Sequence, residues 1–277
     1  MTFELQRKVE AAIKFLQVYA KGCDGTLELA YSGGKDSDVI LTLARMAGIE
    51  VRPIYKCTTI DPPGTIRHVL DNGVEIVRPQ RPFFKIIEQK GFPSRFTRFC
   101  CSELKEYKIE EHTILGVRRA ESKARMKRYK EPTLCRVYSK KERVEQIFPI
   151  LDWTDEDVAE FITAYHVQLA PHYYDADGNP DFSRRLGCMG CPLANRRQRV
   201  EEFRAHPKLV RAWIRAGKVF WDNHPNRRVT AVFSDVYECF YVNVFLHSIK
   251  DHVFNRESLF PVDYKQFLEN YFNVELP

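Results

Sequence analysis

A chain of 277 residues with 44% hydrophobic content is long enough to bury a large core, and no apolar run reaches the roughly 20 residues of a membrane-spanning helix. Met1 to Gln6 lacks a secretion-signal pattern, so a cytoplasmic protein without a membrane partner is expected; its eight cysteines then point to metal or redox chemistry rather than a disulfide framework. The net charge of +6 is uneven, because eleven Lys and Arg against three Glu fall between Arg118 and Arg143, an excess of eight that leaves the rest of the chain slightly acidic.

Leu5–Ala20 carries amphipathic helical spacing, and Gly22–Gly25 turns the chain into a first strand, Thr26–Tyr31. Ser32-Gly33-Gly34 breaks that strand. From Asp38 onward the apolar residues Val39, Ile40, Leu43 and Met46 recur with helical period. The turn Ser32–Ser37 therefore sits at a helix N-terminus, where free N–H groups and the helix dipole favour bound phosphate and glycine permits close approach. Lys35 adds a point charge; Ser32 and Ser37 add hydroxyls. A Walker A loop is excluded, because the four residues that precede its Gly-Lys pair are missing.

Ser32-Gly33-Gly34-Lys35-Asp36-Ser37 resembles the SGGKDS signature of the PP-loop ATP pyrophosphatases of the adenine nucleotide alpha hydrolase group. The resemblance implies a loop that holds the phosphates of ATP while the nucleotide is split between its α and β phosphates.

Ile49–Tyr55 reads as a second strand, Cys57–Pro63 as a proline-rich loop, Pro63 to about Leu70 as a helix closed by Asp71-Asn72-Gly73, Val74–Val77 as a short strand and Pro82–Gln89 as a helix. Alternating strands and helices predict an α/β fold, a parallel sheet sandwiched by helices, with ligand at the carboxyl ends of the strands.

Tandem Cys100-Cys101, flanked by Arg95, Arg98 and Lys105, stands where a loop becomes a helix, and a C-x-x-C knuckle follows 86 residues later at Cys188 and Cys191. Four thiolates suit an iron–sulfur cube or a tetrahedral zinc, and either pair could equally be buried core cysteine. The layout resembles the [4Fe–4S] site of assimilatory adenylylsulfate reductases and related sulfur-transfer PP-loop enzymes, which implies the cluster over zinc.

His112–Val117 reads as a further strand. It runs into Gly116-Val117-Arg118-Arg119-Ala120-Glu121-Ser122-Lys123-Ala124-Arg125, which resembles a stretch of the 3′-phosphoadenylylsulfate (PAPS) reductases and of the small subunit of ATP sulfurylase. There the arginines engage phosphate or sulfate, and a guanidinium fork matches such oxyanions. The longer basic segment 118–143, with Tyr129 and Tyr138 interleaved, reads as a solvated face or as a track for a nucleic-acid backbone.

Glu145–Leu151 brings a last strand, and Thr154 begins a helix as N-cap with Asp157 as its carboxylate partner. Trp153 and Phe148 are expected in the core. Beyond Pro171–Asp181, a polar loop, Val200–Ala205, Pro207–Asn223, Val232–His247 and Tyr264–Tyr271 read mainly as helices, with Phe203, Trp213, Trp221, Phe233, Phe240 and Phe245 packing a small core. A nucleotide-binding domain over 1–165 and a cysteine-knuckle helical region over 166–277 are expected, the latter folding back to bring Cys188 and Cys191 to Cys100 and Cys101.

The resemblance covers about residues 25–195 and is nearest to the iron–sulfur sulfurtransferases of DNA phosphorothioation. It implies an ATP-dependent sulfurtransferase using Mg²⁺, with Lys35, Asp36, Arg118 and Arg119 catalytic, and with Ser32, Gly33, Gly34, Lys35, Asp36, Ser37, Arg118, Arg119 and Arg125 on the nucleotide. Cys100, Cys101, Cys188 and Cys191 are implied as cluster ligands, DNA or tRNA as acceptor, and a cysteine desulfurase or a thioredoxin-type reductant as partner. The runner-up is PAPS or adenylylsulfate reduction with Cys239 or a paired cysteine as nucleophile. The reductases' C-terminal Glu-Cys-Gly-Leu-His has no match at Asn273–Pro277, and their loops tend to be degraded where Ser32–Ser37 is intact. A non-catalytic nucleotide-binding module is the third class. Cys57 and Cys135 are candidate sulfur carriers.

Overall fold

A computed structural model describes residues 1–138, 142–246 and 249–277. Lys140 and Lys141 of the basic segment and His247, the expected helix end, lie outside the described residues. In chain order the elements are α1 (Phe3–Gly22), β1 (Leu27–Tyr31), α2 (Lys35–Ala47), β2 (Arg52–Lys56), α3 (Thr65–Asp71), β3 (Glu75–Val77), α4 (Phe83–Lys90), α5 (Phe99–Leu104), β4 (His112–Ile114), α6 (Lys123–Arg128), β5 (Thr133–Val137), β6 (Arg143–Ile147), α7 (Asp155–Ala164), α8 (Arg196–Ala205), α9 (Pro207–Asn223), α10 (Arg228–Val232), α11 (Val236–Phe245) and α12 (Tyr264–Phe272).

The chain forms two compact units, and both are discontinuous in sequence. One holds Met1–Cys57, Asp61–Arg78 and Glu106–Leu186; the other holds Thr58–Ile60, Pro79–Lys105 and Gly187–Pro277. A single boundary at residue 165 had been expected. The segment with α4 and α5 instead leaves the sheet unit after β3 and packs with the C-terminal helices, because Phe83, Ile86, Ile87 and Leu104 bury into the same core as Phe203, Trp213 and Phe240.

The first unit is a six-stranded sheet in the order β3-β2-β1-β4-β6-β5. β1 pairs in parallel with β2 on one side and β4 on the other, and β3 and β6 continue in parallel. Leu27, Leu29 and Tyr31 of β1 are buried, as a parallel strand covered on both faces requires. α2 ends at Gly48, in the left-handed region at φ 63°, where its N–H reaches the Ala44 and Arg45 carbonyls. β5 is antiparallel to β6 at the sheet edge, with residue-by-residue alternation of partly buried and exposed positions. Thr154 and Asp157 form the expected reciprocal cap at α7, and Phe148 and Trp153 are buried.

The second unit packs α4, α5 and α8–α12 around aromatic contacts. Phe203 meets Trp213 edge-on at 5.6 Å between centroids and Phe240 at 5.5 Å. Phe233 is buried as expected, and Trp221 and Phe245 are partly buried. The expected Val232–His247 helix is cut at its start: α10 ends at Val232, and Asp235 opens α11 by accepting the Glu238 N–H at 2.8 Å.

Phe161, fully buried against Trp153, supplies a test of the sheet unit. Phe161→Ala should cost about 3–5 kcal/mol in urea unfolding, whereas Thr154→Ala, which removes only a cap, should cost about 1 kcal/mol.

Candidate functional site

Chain direction away from β1 reverses between β3 and β4, so the carboxyl ends of β1 and β4 lie side by side at the switch point of the sheet. The turn after β1 is Ser32–Gly34; the segment after β4 is Leu115–Arg118. The segment after β4 touches the first turn of α2. A Cβ at Gly116 would stand 2.9 Å from the Asp36 carbonyl oxygen, so only glycine fits there. Gly33 adopts φ +73°, which lets the strand turn directly into α2.

Within the turn, the Ser37 hydroxyl donates to the Gly34 carbonyl at 2.7 Å, and the Ser32 hydroxyl donates to Ser37 Oγ at 3.2 Å. The Lys35 N–H and the Leu186 N–H both donate to the Tyr173 hydroxyl, at 3.1 and 3.3 Å. Burial pushes that phenol up to about 12, so it stays a neutral anchor for the loop. The Lys35 side chain is buried; its ammonium lies 3.5 Å from the Arg184 carbonyl and 5.8 Å from the Tyr173 ring centroid. Among the described residues no carboxylate reaches it as an ion-pair partner.

The three arginines expected to bind anion are held by the protein itself. Arg118 is 1% exposed, with Nε donating to Asp36 Oδ1 at 2.6 Å and Nη2 to Asp155 Oδ1 at 2.7 Å. Arg119 pairs with Asp152 and donates to the Tyr129 carbonyl at 2.8 Å, and Arg125 pairs with Glu121. Their charge is answered by carboxylates, and Arg118, expected on the nucleotide, here holds Asp36 and Asp155. In the basic segment Lys123, Lys127, Arg128 and Lys130 remain exposed, while Arg136 pairs with Glu106 at 3.0 Å.

Sequence reasoning missed Tyr173 and a cluster just below the loop. Asp38 of α2 accepts from Tyr31, and His68 Nε2 lies 2.9 Å from Asp38 Oδ1 and 2.8 Å from the Tyr31 hydroxyl. All three are buried, burial raises the Asp38 carboxyl, and Asp38 Oδ2 has no hydrogen-bond partner. Asp38 directly follows the loop signature, a signal that could have been followed; His68, a lone histidine on a short helix, gave none.

In the second unit Cys100, Cys101, Cys188 and Cys191 line one cavity of about 30 Å³, walled by Ile60, Phe83 and Trp213. The knuckle is fixed by the Cys191 N–H donating to the Cys188 carbonyl at 3.2 Å and the Gly190 N–H to Glu202 at 2.8 Å. A hydrogen bond with Cys101 holds the Cys100 thiol well above the ordinary cysteine range, and burial raises Cys191. Among the described residues, however, no group of three or more His, Cys, Asp or Glu is arranged to hold a single metal ion. Cys57 is buried with its thiol 3.6 Å from Asp61, Cys135 is exposed on β5, and burial pushes the Cys239 thiol up to about 12.

Residues 26–194 match the family described as the phosphoadenosine phosphosulfate reductase domain. An uncharacterised protein of Methanocaldococcus jannaschii is 29% identical over 234 residues, covering 78% of this chain and 54% of that protein. An uncharacterised 37.8 kDa protein of Escherichia phage 186 is 29% identical over 155 residues, covering 50% of this chain and 43% of that protein. The chain thus spans about half the length of these curated relatives. Among solved structures, the U34-tRNA thiolase of Methanococcus maripaludis with its [4Fe–4S] cluster overlaps 79% of this chain and 82% of its own at 15% identity and a TM-score of 0.41. The NH3-dependent NAD synthetase of Campylobacter jejuni, in complex with nitrate, overlaps 80% and 95% at 15% identity and a TM-score of 0.42. No described helix is long and apolar enough to cross a membrane.

Arg118→Met should destabilise the protein by about 2–3 kcal/mol in urea unfolding, less than a fully buried pair would lose, because Asp155 is 69% exposed and can return to water. Unchanged stability would remove the positioning role.

Proposed function

The chain belongs to the phosphoadenosine phosphosulfate reductase domain family, and on that premise we propose that it is a PP-loop enzyme that binds ATP, releases pyrophosphate and passes sulfur to an acceptor. The observation that carries this reading is the Lys35 ammonium, buried at the N-terminus of α2 without a carboxylate among the described residues. A buried cation with no counter-charge is costly, and a polyphosphate supplies the charge at the end of the helix that already favours it.

In this reading Ser32, Gly33, Gly34, Lys35 and Ser37 hold the phosphates. Asp36 places one oxygen on Arg118 and, being only partly buried, offers the other to Mg²⁺ carried by the nucleotide. An acceptor oxygen attacks the α-phosphorus and pyrophosphate leaves, its charge met by Lys35 and the loop amides. Hydrosulfide, supplied as free sulfide or released from the persulfide of a cysteine desulfurase by a dithiol reductant that is oxidised to its disulfide, then displaces AMP, so the acceptor exchanges oxygen for sulfur with no change in its own oxidation state. The exposed Lys123, Lys127, Arg128 and Lys130 favour a nucleic-acid acceptor.

Cys100, Cys101, Cys188 and Cys191 would hold a [4Fe–4S] cluster. Zinc would take the four sulfurs at about 2.3 Å around one ion, whereas a cube would spread them over four irons, and both would draw on the same four side chains lining this cavity. When bound, the cluster supplies iron that can ligate sulfur. Reduction of a sulfonucleotide would need an attacking thiolate, and Cys239, buried and held near 12, is almost wholly protonated at neutral pH.

Protein reconstituted anaerobically with iron and sulfide, then given Mg²⁺ and ATP with tRNA or DNA, should release pyrophosphate, and Lys35→Met should slow that release at least about 100-fold. Sulfite from PAPS or adenylylsulfate in place of pyrophosphate would make the chain a reductase. Neither product from cluster-loaded protein would leave a binding module.

A further inference from the structure

A cavity of about 830 Å³ in the second unit has no part in the chemistry above. Its volume falls in the range of drug-sized ligand sites, roughly 300–1,000 Å³. Phe220, Trp221 and Phe233 form an aromatic wall, and Phe96, 98% exposed, carries that apolar surface to the rim.

Against this wall stand Arg95, Arg196 and Arg199, and no Asp or Glu is among the described residues that line the cavity. None of the three has a carboxylate partner among the described residues. Arg95 donates to the Pro192 and Ala194 carbonyls at 3.0 and 3.2 Å, and Arg196 to the Phe245 carbonyl at 2.8 Å. Arg199 is 95% buried by its 5% exposure, and its two terminal nitrogens are taken by the Asn243 carbonyl and side-chain oxygen, each at 2.8 Å. Its Nε, also buried, has no hydrogen-bond partner.

A neutral carbonyl orients a guanidinium without cancelling its charge. Burial draws Arg199 down to about 10, a value that still leaves it cationic at neutral pH. Desolvating a donor with no acceptor is a standing cost that an anionic oxygen would remove.

We infer that this cavity binds a small amphipathic anion, an aromatic or branched apolar body bearing one carboxylate or phosphate group seated beside Arg199. Apolar walls alone would select for shape; three guanidiniums held by neutral oxygens rather than by direct ion pairs add a requirement for negative charge.

The test uses the full chain and the fluorescent probe 8-anilinonaphthalene-1-sulfonate. One probe should bind per chain with enhanced emission, and Val242→Trp, which fills the cavity, should abolish it. Octanoate and octyl phosphate should displace the probe at least about tenfold better than octanol, the stronger of the two identifying the head group; tenfold corresponds to one charge-assisted hydrogen bond. Arg199→Gln should weaken probe binding about tenfold with a cooperative melt retained, and if that variant does not fold, exposed Arg196→Gln should weaken it several-fold. Equal displacement by octanol and octanoate, binding that survives Val242→Trp, or displacement by a single-stranded oligonucleotide in preference to both anions would each overturn the inference.

Discussion

Gly116 and Asp36 share one space, and the candidate nucleotide site depends on their sharing it. Because a Cβ at Gly116 would lie 2.9 Å from the Asp36 carbonyl, the first turn of α2 can press onto the segment leaving β4. That approach brings Arg118 within 2.6 Å of the Asp36 carboxylate, and the same guanidinium reaches Asp155 at the start of α7. A single buried cation thus ties the glycine turn, the exit of β4 and the head of α7. Burying it is tolerable because two carboxylates and the Trp153 carbonyl satisfy it. The turn is therefore held in shape by contacts beneath it, and the Lys35 side chain remains uncommitted to any carboxylate among the described residues.

What could be read from the sequence was what is local. The Ser32–Ser37 turn, the Thr154 and Asp157 cap and the C-x-x-C knuckle each draw their structure from residues a few positions apart, so type and spacing suffice. The strand Thr133–Val137 was hidden for a related reason: its alternating pattern sits inside a run of Lys and Arg, and charge density masked a period of two. The carboxylates that Arg118 meets were hidden for another reason. Its partners lie 82 and 37 residues away, and an arginine in a recognised motif looks the same whether a ligand or a carboxylate will meet it. The discontinuity of the two units was likewise invisible, since α4 and α5 have the amphipathic spacing of any surface helix and only the aromatic core of the second unit decides where they pack.

The cysteines divide by surroundings rather than by sequence spacing. Cys239 sits among apolar side chains, where burial raises its thiol to about 12 and disfavours the thiolate. Cys100, Cys101, Cys188 and Cys191 share one cavity, so ionising any of them adds negative charge beside the others. That proximity and burial disfavour the free thiolate at Cys100 and Cys191.

The partner of a cation, more than its number, marks where an anion belongs. Arg118, Arg119 and Arg125 come from the most basic stretch of the chain, yet each faces a carboxylate and presents little net charge outward. Lys35 lies outside that stretch and meets only a carbonyl and a ring. Arg95, Arg196 and Arg199 are likewise bound to uncharged oxygens, which fix their geometry while leaving their field intact. Counting Lys and Arg along the sequence locates the surface that repels other cations; following each to its acceptor separates those that a carboxylate answers from those held by uncharged oxygens.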